Sequence, residues 1–368
     1  MILKGYRDPQ LARKLREEIE RTALEINKNV LIMHVCGSHE WTITHYGIRT
    51  LLPQNIEVRS GPGCPVCVTP AADIDSAVRL SMERKTVLTY GDMSRAKGSG
   101  MSLFDAKAAG GEVRVVYSIH DAIKIAAGNP KKEFVFFAVG FETTAPPTAY
   151  EILKSPPQNL SFLVSYRYVP PAVGAVAASP ELGVHAFINA GHASAITGMK
   201  AYEPYFQKVH MPMVFSGFEP VDVLISIAML LRQIADGEPK MENEYTRAVT
   251  WDGNVKAQET MDKVFEHIDG YWRGVATIPD SGFKIREEFQ EYDARLRYGL
   301  EEKPGSEQFV PQARCGEVIL GKIDPPECPL YMEGCTPQNP KGPTMVSAEG
   351  TCRIWAEHKI LAGMRCRA

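Results

Sequence analysis

Eight cysteines stand in two groups, with none from residue 68 to 314: Cys36, Cys64 and Cys67 first, then Cys315, Cys328, Cys335, Cys352 and Cys366. In a chain of 368 residues this is too sparse for a disulfide framework. Thiols gathered in two clusters point instead to redox or metal chemistry.

Cys64 and Cys67 form a C-x-x-C within Gly61-Pro62-Gly63-Cys64-Pro65-Val66-Cys67. Thiols at this spacing can close a reversible disulfide or offer two soft donors to a metal. Two small buried residues, or half a zinc knuckle, would leave the same pattern. The glycines permit unusual dihedrals and close approach of a ligand. Thr69-Pro70 reads as an N-cap and first helical position, opening a helix over Ala71–Met82. A helix N-terminus just beyond Cys67 would favour its thiolate.

Cys36 opens Cys36-Gly37-Ser38-His39-Glu40 at the end of an expected strand. Ligands of open parallel sheets gather at the carboxyl ends of strands, so Cys36 and the Cys64/Cys67 pair are carried to the same edge. His39 and Glu40 lie about one helical turn from Cys36. His39 is a candidate acid–base group there, against the competing reading of a satisfied structural histidine; His45 stays with the structural reading.

The later group is spaced Cys315-x12-Cys328-x6-Cys335-x16-Cys352. Four thiolates suit zinc or an iron–sulfur cluster. Paired C-x2-C knuckles are missing, which favours a [4Fe–4S] cluster over zinc. Prolines restrict the chain around these ligands, as in Asp324-Pro325-Pro326-Glu327-Cys328-Pro329. Cys366, near the end, reads as a bystander.

The elements that must hold these residues read as α/β. Asp8-Pro9 caps an amphipathic helix over residues 9–27, built on Leu11, Leu15, Ile19, Ala23 and Ile26. Strands are expected at Val30–Val35, Ile56–Arg59, Thr86–Tyr90, Val113–Tyr117, Phe134–Val139, Leu160–Ser165, Val184–Ile188 and Met213–Phe215. Near-continuous apolar strands separated by helices signal parallel sheets covered on both faces. A strand–turn element repeats, with Gly140-Phe141-Glu142 answered by Gly217-Phe218-Glu219. Asn129-Pro130 marks an expected boundary, and after residue 269 proline clusters replace β-branched runs. The division predicted is 1–128, 129–268 and 269–368, the last region ordered largely by a bound cluster rather than by an apolar core.

Composition excludes several classes. A net charge of −3, without a basic run, gives no footprint for nucleic acid. The longest apolar run, Val223 to Leu231, is far below the roughly 20 residues of a membrane span. The first residues lack the apolar segment of a signal peptide, so a cytoplasmic protein is expected. A radical-SAM triplet C-x3-C-x2-C and a Walker-type phosphate loop are both missing.

The set Cys36-Gly37-Ser38-His39-Glu40, Gly61-Pro62-Gly63-Cys64-Pro65-Val66-Cys67 and Gly140-Phe141-Glu142-Thr143-Thr144-Ala145-Pro146, with the spacing of the last thiols, resembles the HypD hydrogenase-maturation family. The resemblance runs from residue 36 to 352. It implies two similar α/β domains and a C-terminal iron–sulfur domain around a cleft. It implies a scaffold on which iron carrying two cyanides and a carbon monoxide is assembled for [NiFe] hydrogenases. A small HypC-type chaperone would share the iron, and a HypE-type donor would deliver cyanide. Carried over by motif, Cys36 is the iron ligand, with Cys64 and Cys67 as a redox pair that also counts among the expected metal-binding residues for this iron. Cys315, Cys328, Cys335 and Cys352 hold the [4Fe–4S] cluster. Glu40, Gly140, Phe141, Glu142, Thr143 and Thr144 would line the cleft. The rival function is an iron–sulfur thiol–disulfide oxidoreductase acting on a protein; a zinc-stabilised interaction protein is a third.

Overall fold

Asp8 accepts a hydrogen bond from the Gln10 amide at 2.8 Å, Pro9 takes the first helical position, and helix Pro9–Ile26 follows as its spacing predicts. Its buried residues Leu15, Ile19 and Ala23 share a core with Leu224, Ile227 and Leu231 of helix Pro220–Asp236. The structure, a computed structural model, describes residues 2–300 and 310–359; Cys366 lies outside the described residues.

Every expected strand forms: β1 (Val30–His34), β2 (Ile56–Ser60), β3 (Thr86–Thr89), β4 (Val113–Val115), β5 (Phe134–Gly140), β6 (Leu160–Tyr166), β7 (Ala186–Ala190) and β8 (Met213–Ser216). β7 starts later than predicted because the His185 ring, rather than a ladder carbonyl, accepts the Leu31 amide at 3.1 Å. Three further strands were not expected: β9 (Met241–Asn243), β10 (Phe265–Trp272) and β11 (Ala276–Ile285). In β10 the buried Phe265 and Trp272 are separated by Glu266, His267 and Asp269, which masks the strand.

The strands make two parallel sheets, ordered β2-β1-β7-β8-β9 and β4-β3-β5-β6, and β10 pairs with β11 as an antiparallel hairpin. The α/β reading with two parallel sheets stands. The expected division at 128/129 does not follow the sheets, which interleave along the chain. β1 and β2 join β7 across that boundary, and β3 and β4 join β5 and β6. A continuous apolar run shows that a strand is covered on both faces, not which strand lies beside it.

The boundary expected at 268/269 falls inside β10. The hairpin packs on the second sheet, where Phe265, Phe283 and Ile285 join Phe134, Phe136 and Phe162. Residues 310–359 consist of turns and short helices, Cys315–Ile319, Pro343–Val346 and Thr351–Glu357, around Val318, Ile323, Tyr331, Met345 and Trp355. Both Gly-Phe-Glu turns link a strand to a proline-started helix, β5 to Ala145–Leu153 and β8 to Pro220–Asp236. No helix among the described residues is long and apolar enough to cross a membrane.

Candidate active site at the strand ends

Cys36 follows β1 and is the N-cap of helix Gly37–His45, so its position is set by a strand ladder on one side and a helix on the other. Its side chain is 3% exposed, and burial pushes the thiol pKa up to about 11, against opposing hydrogen bonds from the first turn of its helix. The loop after β2 presses directly on it. A Cβ at Gly63 would lie 2.2 Å from the Cys36 amide nitrogen, so only glycine allows this approach. That close contact joins the two cysteine motifs.

Cys64 and Cys67 are linked in a disulfide. Cys64, rather than Thr69, begins the local helix: it is the N-cap of Pro65–Val68, and its sulfur accepts the Cys67 amide at 3.2 Å. Helix Ala71–Met82 forms as expected, but Thr69 turns back and donates to the Pro65 carbonyl at 2.9 Å. The helix N-terminus expected just beyond Cys67 is therefore present, with Pro70 rather than Thr69 as its N-cap.

His192 was missed in the sequence. It follows β7, the strand beside β1, and its Nδ1 lies 3.9 Å from Cys36 Sγ. The signal available was Ala190-Gly191-His192 at a strand end, parallel to Cys36-Gly37 after β1. Its ring is open to solvent by area yet crowded by the cleft walls, and this desolvation lowers its pKa. Beside it opens a hollow of about 330 Å³ lined in part by Gly37, Ser38, Trp41, Phe218 and Glu349.

His39 points away from Cys36. It is fully buried, donates from Nε2 to the Gly217 carbonyl at 2.9 Å and stacks on Phe218 with ring centroids 4.6 Å apart. Burial lowers its pKa to about 3, so it is a neutral imidazole at neutral pH. Glu40 is enclosed too, not on the cleft surface. It accepts from Arg49 at 2.8 and 2.9 Å, from Thr44 at 2.6 Å and from the Trp355 indole at 2.7 Å, and its Oε2 lies 2.8 Å from His34 Nε2. Burial raises its pKa, but Arg49 and His34 outweigh this and hold it far below the usual carboxylate range. His45 stacks on Trp41, and its Nδ1 lies 3.2 Å from His358 Nε2.

The second α/β sheet contributes the Gly140–Thr144 turn. Gly140 has φ +153°, and a Cβ there would lie 1.8 Å from Thr144 Oγ1, which donates to the Phe141 carbonyl at 3.0 Å. Phe141 stacks on Trp272, and Thr143 is half-buried. Glu142 is fully buried. Its Oε2 accepts the Val169 amide at 3.3 Å while Oε1 has no hydrogen-bond partner among the described residues. Burial raises its pKa to about 7, opposed in part by His192. Glu142 and His192 influence each other electrostatically, and His192 is the residue beside Cys36.

Cys315, Cys328, Cys335 and Cys352 line one cavity of about 20 Å³, together with Tyr331 and Thr344. The Lys341 amide donates to Cys335 Sγ at 3.3 Å and the Thr344 hydroxyl to Cys352 Sγ at 3.2 Å. A Cβ at Gly342 would lie 2.1 Å from Cys315 Sγ. Burial pushes the Cys315 thiol up to about 11 and the Cys352 thiol well above its ordinary value. Between this cavity and the disulfide stands one segment: Pro343 O lies 3.7 Å from Cys67 Sγ, and the next residue, Thr344, reaches Cys352.

A HypD family model, described as the hydrogenase formation hypA family, matches residues 10–359. The chain belongs to the HypD family. It is 44% identical over 355 residues to a putative hydrogenase expression/formation protein of Methanocaldococcus jannaschii, covering 96% of this chain and 98% of that one. It is 40% identical over 361 residues to the hydrogenase maturation factor HypD of Azotobacter vinelandii, covering 95% and 94%. Against HypD of Escherichia coli it is 38% identical over 365 residues, covering 96% and 97%. The HypD match thus takes in the cysteines of both groups and the turn at Glu142.

Proposed function

We propose that this chain is a hydrogenase maturation factor on which the Fe(CN)2CO unit of [NiFe] hydrogenases is assembled. The unit is cargo, held by Cys36 together with a HypC-type chaperone and completed with cyanide from a HypE-type donor. The observation that carries the reading is the packing of Gly63 on the Cys36 backbone, because it puts a dithiol motif against a separate single thiol. Cys36 supplies a soft donor suited to low-valent iron bearing cyanide and carbon monoxide. His192, 3.9 Å away, faces the same position. The hollow lined by Gly37, the residue after Cys36, and by Phe218 is where a partner protein would approach.

Cys64 and Cys67 act as the redox pair. Opening their disulfide takes two electrons and two protons and leaves two thiols. Cys315, Cys328, Cys335 and Cys352 would hold a [4Fe–4S] cluster. The donor set fits it: three buried cysteines and the half-buried Cys328 line one cavity, and two of the sulfurs already accept hydrogen bonds. A bound cluster would supply single electrons. Pro343 and Thr344 keep its site adjacent to the disulfide.

Infrared spectroscopy of the chain co-purified with its small partner tests the reading. Wild type should show iron–cyanide and iron–carbonyl bands. Cys36→Ala should fold, keep its cluster and bind the partner, yet lack those bands; normal bands would mean that the iron sits elsewhere. The disulfide supports the second reading, a thiol–disulfide oxidoreductase. That reading gains if wild type never shows the bands.

A further inference from the structure

We propose that His45 and His358 form a clamp for one divalent transition-metal ion of the zinc and nickel class, joining the helix that starts beside Cys36 to the helix that carries Cys352. The clamp is separate from the four-cysteine site and does not depend on how that site is read. His45 ends helix Gly37–His45, and His358 is the C-cap of helix Thr351–Glu357. The two helices pack together: Glu40 accepts from the Trp355 indole at 2.7 Å, and the Arg49 guanidinium lies 5.0 Å from the centre of the Trp355 ring. Two imidazoles 313 positions apart thus meet on a joint that other contacts already hold.

The tautomer of His358 follows from its neighbour. Its Nδ1 lies 2.8 Å from the Ile354 carbonyl oxygen, which only accepts, so Nδ1 carries the proton and Nε2 the lone pair. That Nε2 stands 3.2 Å from His45 Nδ1. Trp41 stacks on His45 with ring centroids 4.3 Å apart and planes 11° apart, which orients the second ring. A histidine whose other nitrogen donates to a backbone carbonyl is the common form of a metal-bound imidazole. Two nitrogens on one ion at about 2.0–2.1 Å stand about 2.9 Å apart at a right angle and about 3.3 Å apart at the tetrahedral angle. The observed 3.2 Å falls within that range. His45 is exposed and His358 half-buried, so water would satisfy each ring about as well as they satisfy one another. What the pairing adds is a bite for a cation. Each ring turns its nitrogen toward a shared point, the His45 Nδ1 proton passes through solvent to Nε2, and the pair stays neutral. Imidazole suits zinc and nickel rather than the oxygen-seeking magnesium and calcium. Among the described residues no third His, Cys, Asp or Glu joins them, so water completes the coordination.

The test uses the full chain, purified anaerobically, as wild type, H45Q, H358Q and W41F. Ni2+ is titrated while tryptophan fluorescence is followed, because an ion on His45 lies beside Trp41 and quenches it. Wild type should give a saturable curve, and each glutamine variant should weaken it by about tenfold or more. W41F should lose most of the quenching yet keep the affinity, read by equilibrium dialysis. Hydrogen exchange across residues 351–359 should slow when Ni2+ is added to wild type, and not in either glutamine variant. Co2+ identifies the donors: the absorption that wild type has and H358Q lacks should contain no sulfur-to-metal charge-transfer band. A titration curve unchanged in either glutamine variant, or a sulfur band in that difference, overturns the proposal.

Discussion

The two thiol regions hold their sulfurs by opposite means. Cys36 and the Cys64/Cys67 pair sit just past the ends of adjacent parallel strands, where ladder bonds fix the backbone before any ligand arrives. Cys315, Cys328, Cys335 and Cys352 stand on turns and helices of no more than seven residues, in a small core that counts Cys335 and Cys352 among its own members. Position in the first region is a property of the sheet. In the second, under the proposed cluster reading, much of the binding energy would be folding energy.

Removing one thiol from the second region should have the largest effect. Cys352→Ala is expected to lose iron and sulfide together and to release residues 310–359 to fast hydrogen exchange, while the sheets stay protected. Full cluster content in that variant, or stoichiometric zinc in fresh wild-type protein, would break the contrast.

The next test concerns the joint between the regions. Glu40 links the Cys36 helix to Trp355, 315 residues away. Glu40→Ala deprives buried donors of their acceptor and should cost about 3–5 kcal/mol in denaturant unfolding. Because the folded pKa of Glu40 is depressed, its contribution is complete at neutral pH and fades as pH falls below the usual carboxylate value of about 4.3. A variant as stable as wild type at pH 7 would separate the two regions energetically.

Gly63→Ala sharpens the comparison within the first region. Its Cβ would collide with backbone 2.2 Å away, which cannot rotate aside, so a loss of about 1–3 kcal/mol is expected. Alkylation of Cys36 in the folded protein should quicken as the loop lifts. An unchanged alkylation rate would show that the loop does not shield this thiol.

The smallest effect belongs to Glu142. Its folded pKa is raised to about 7, so its contribution is full below about pH 4.3 and is lost as pH rises toward 7. Glu142→Gln should flatten that part of the stability–pH curve and leave the acid limb, governed by depressed carboxylates such as Glu40, in place. An identical slope in both proteins would remove Glu142 from the titration.

Much of this was legible in the sequence because local rules carried it. The strands read from their apolar runs, the first helix from Asp8-Pro9, and the cysteine motifs from their spacing. What stayed hidden depends on neighbours far along the chain. His39 and Glu40 share a motif with Cys36, yet helical geometry sends both inward, one to the Gly217 carbonyl and the other to Arg49 and Trp355. His192 has only its place after a strand to mark it, and its meaning comes from β7 lying beside β1. The sheet order is likewise invisible in runs that state burial without naming a partner.

That sheet order also sets a timetable for synthesis. β1 can pair with β2 early, but its other edge waits for β7, whose residues emerge some 150 positions later. At roughly 5–20 residues per second, the nascent chain carries an open apolar edge for about ten seconds or more. The second sheet can complete its four strands within that interval, since β3 to β6 lie wholly between β2 and β7. The order of assembly on the ribosome is therefore inner sheet first and outer sheet last, and an arrested chain that has emerged from the exit tunnel up to about residue 180 should hold one finished sheet beside a strand pair that still invites a chaperone.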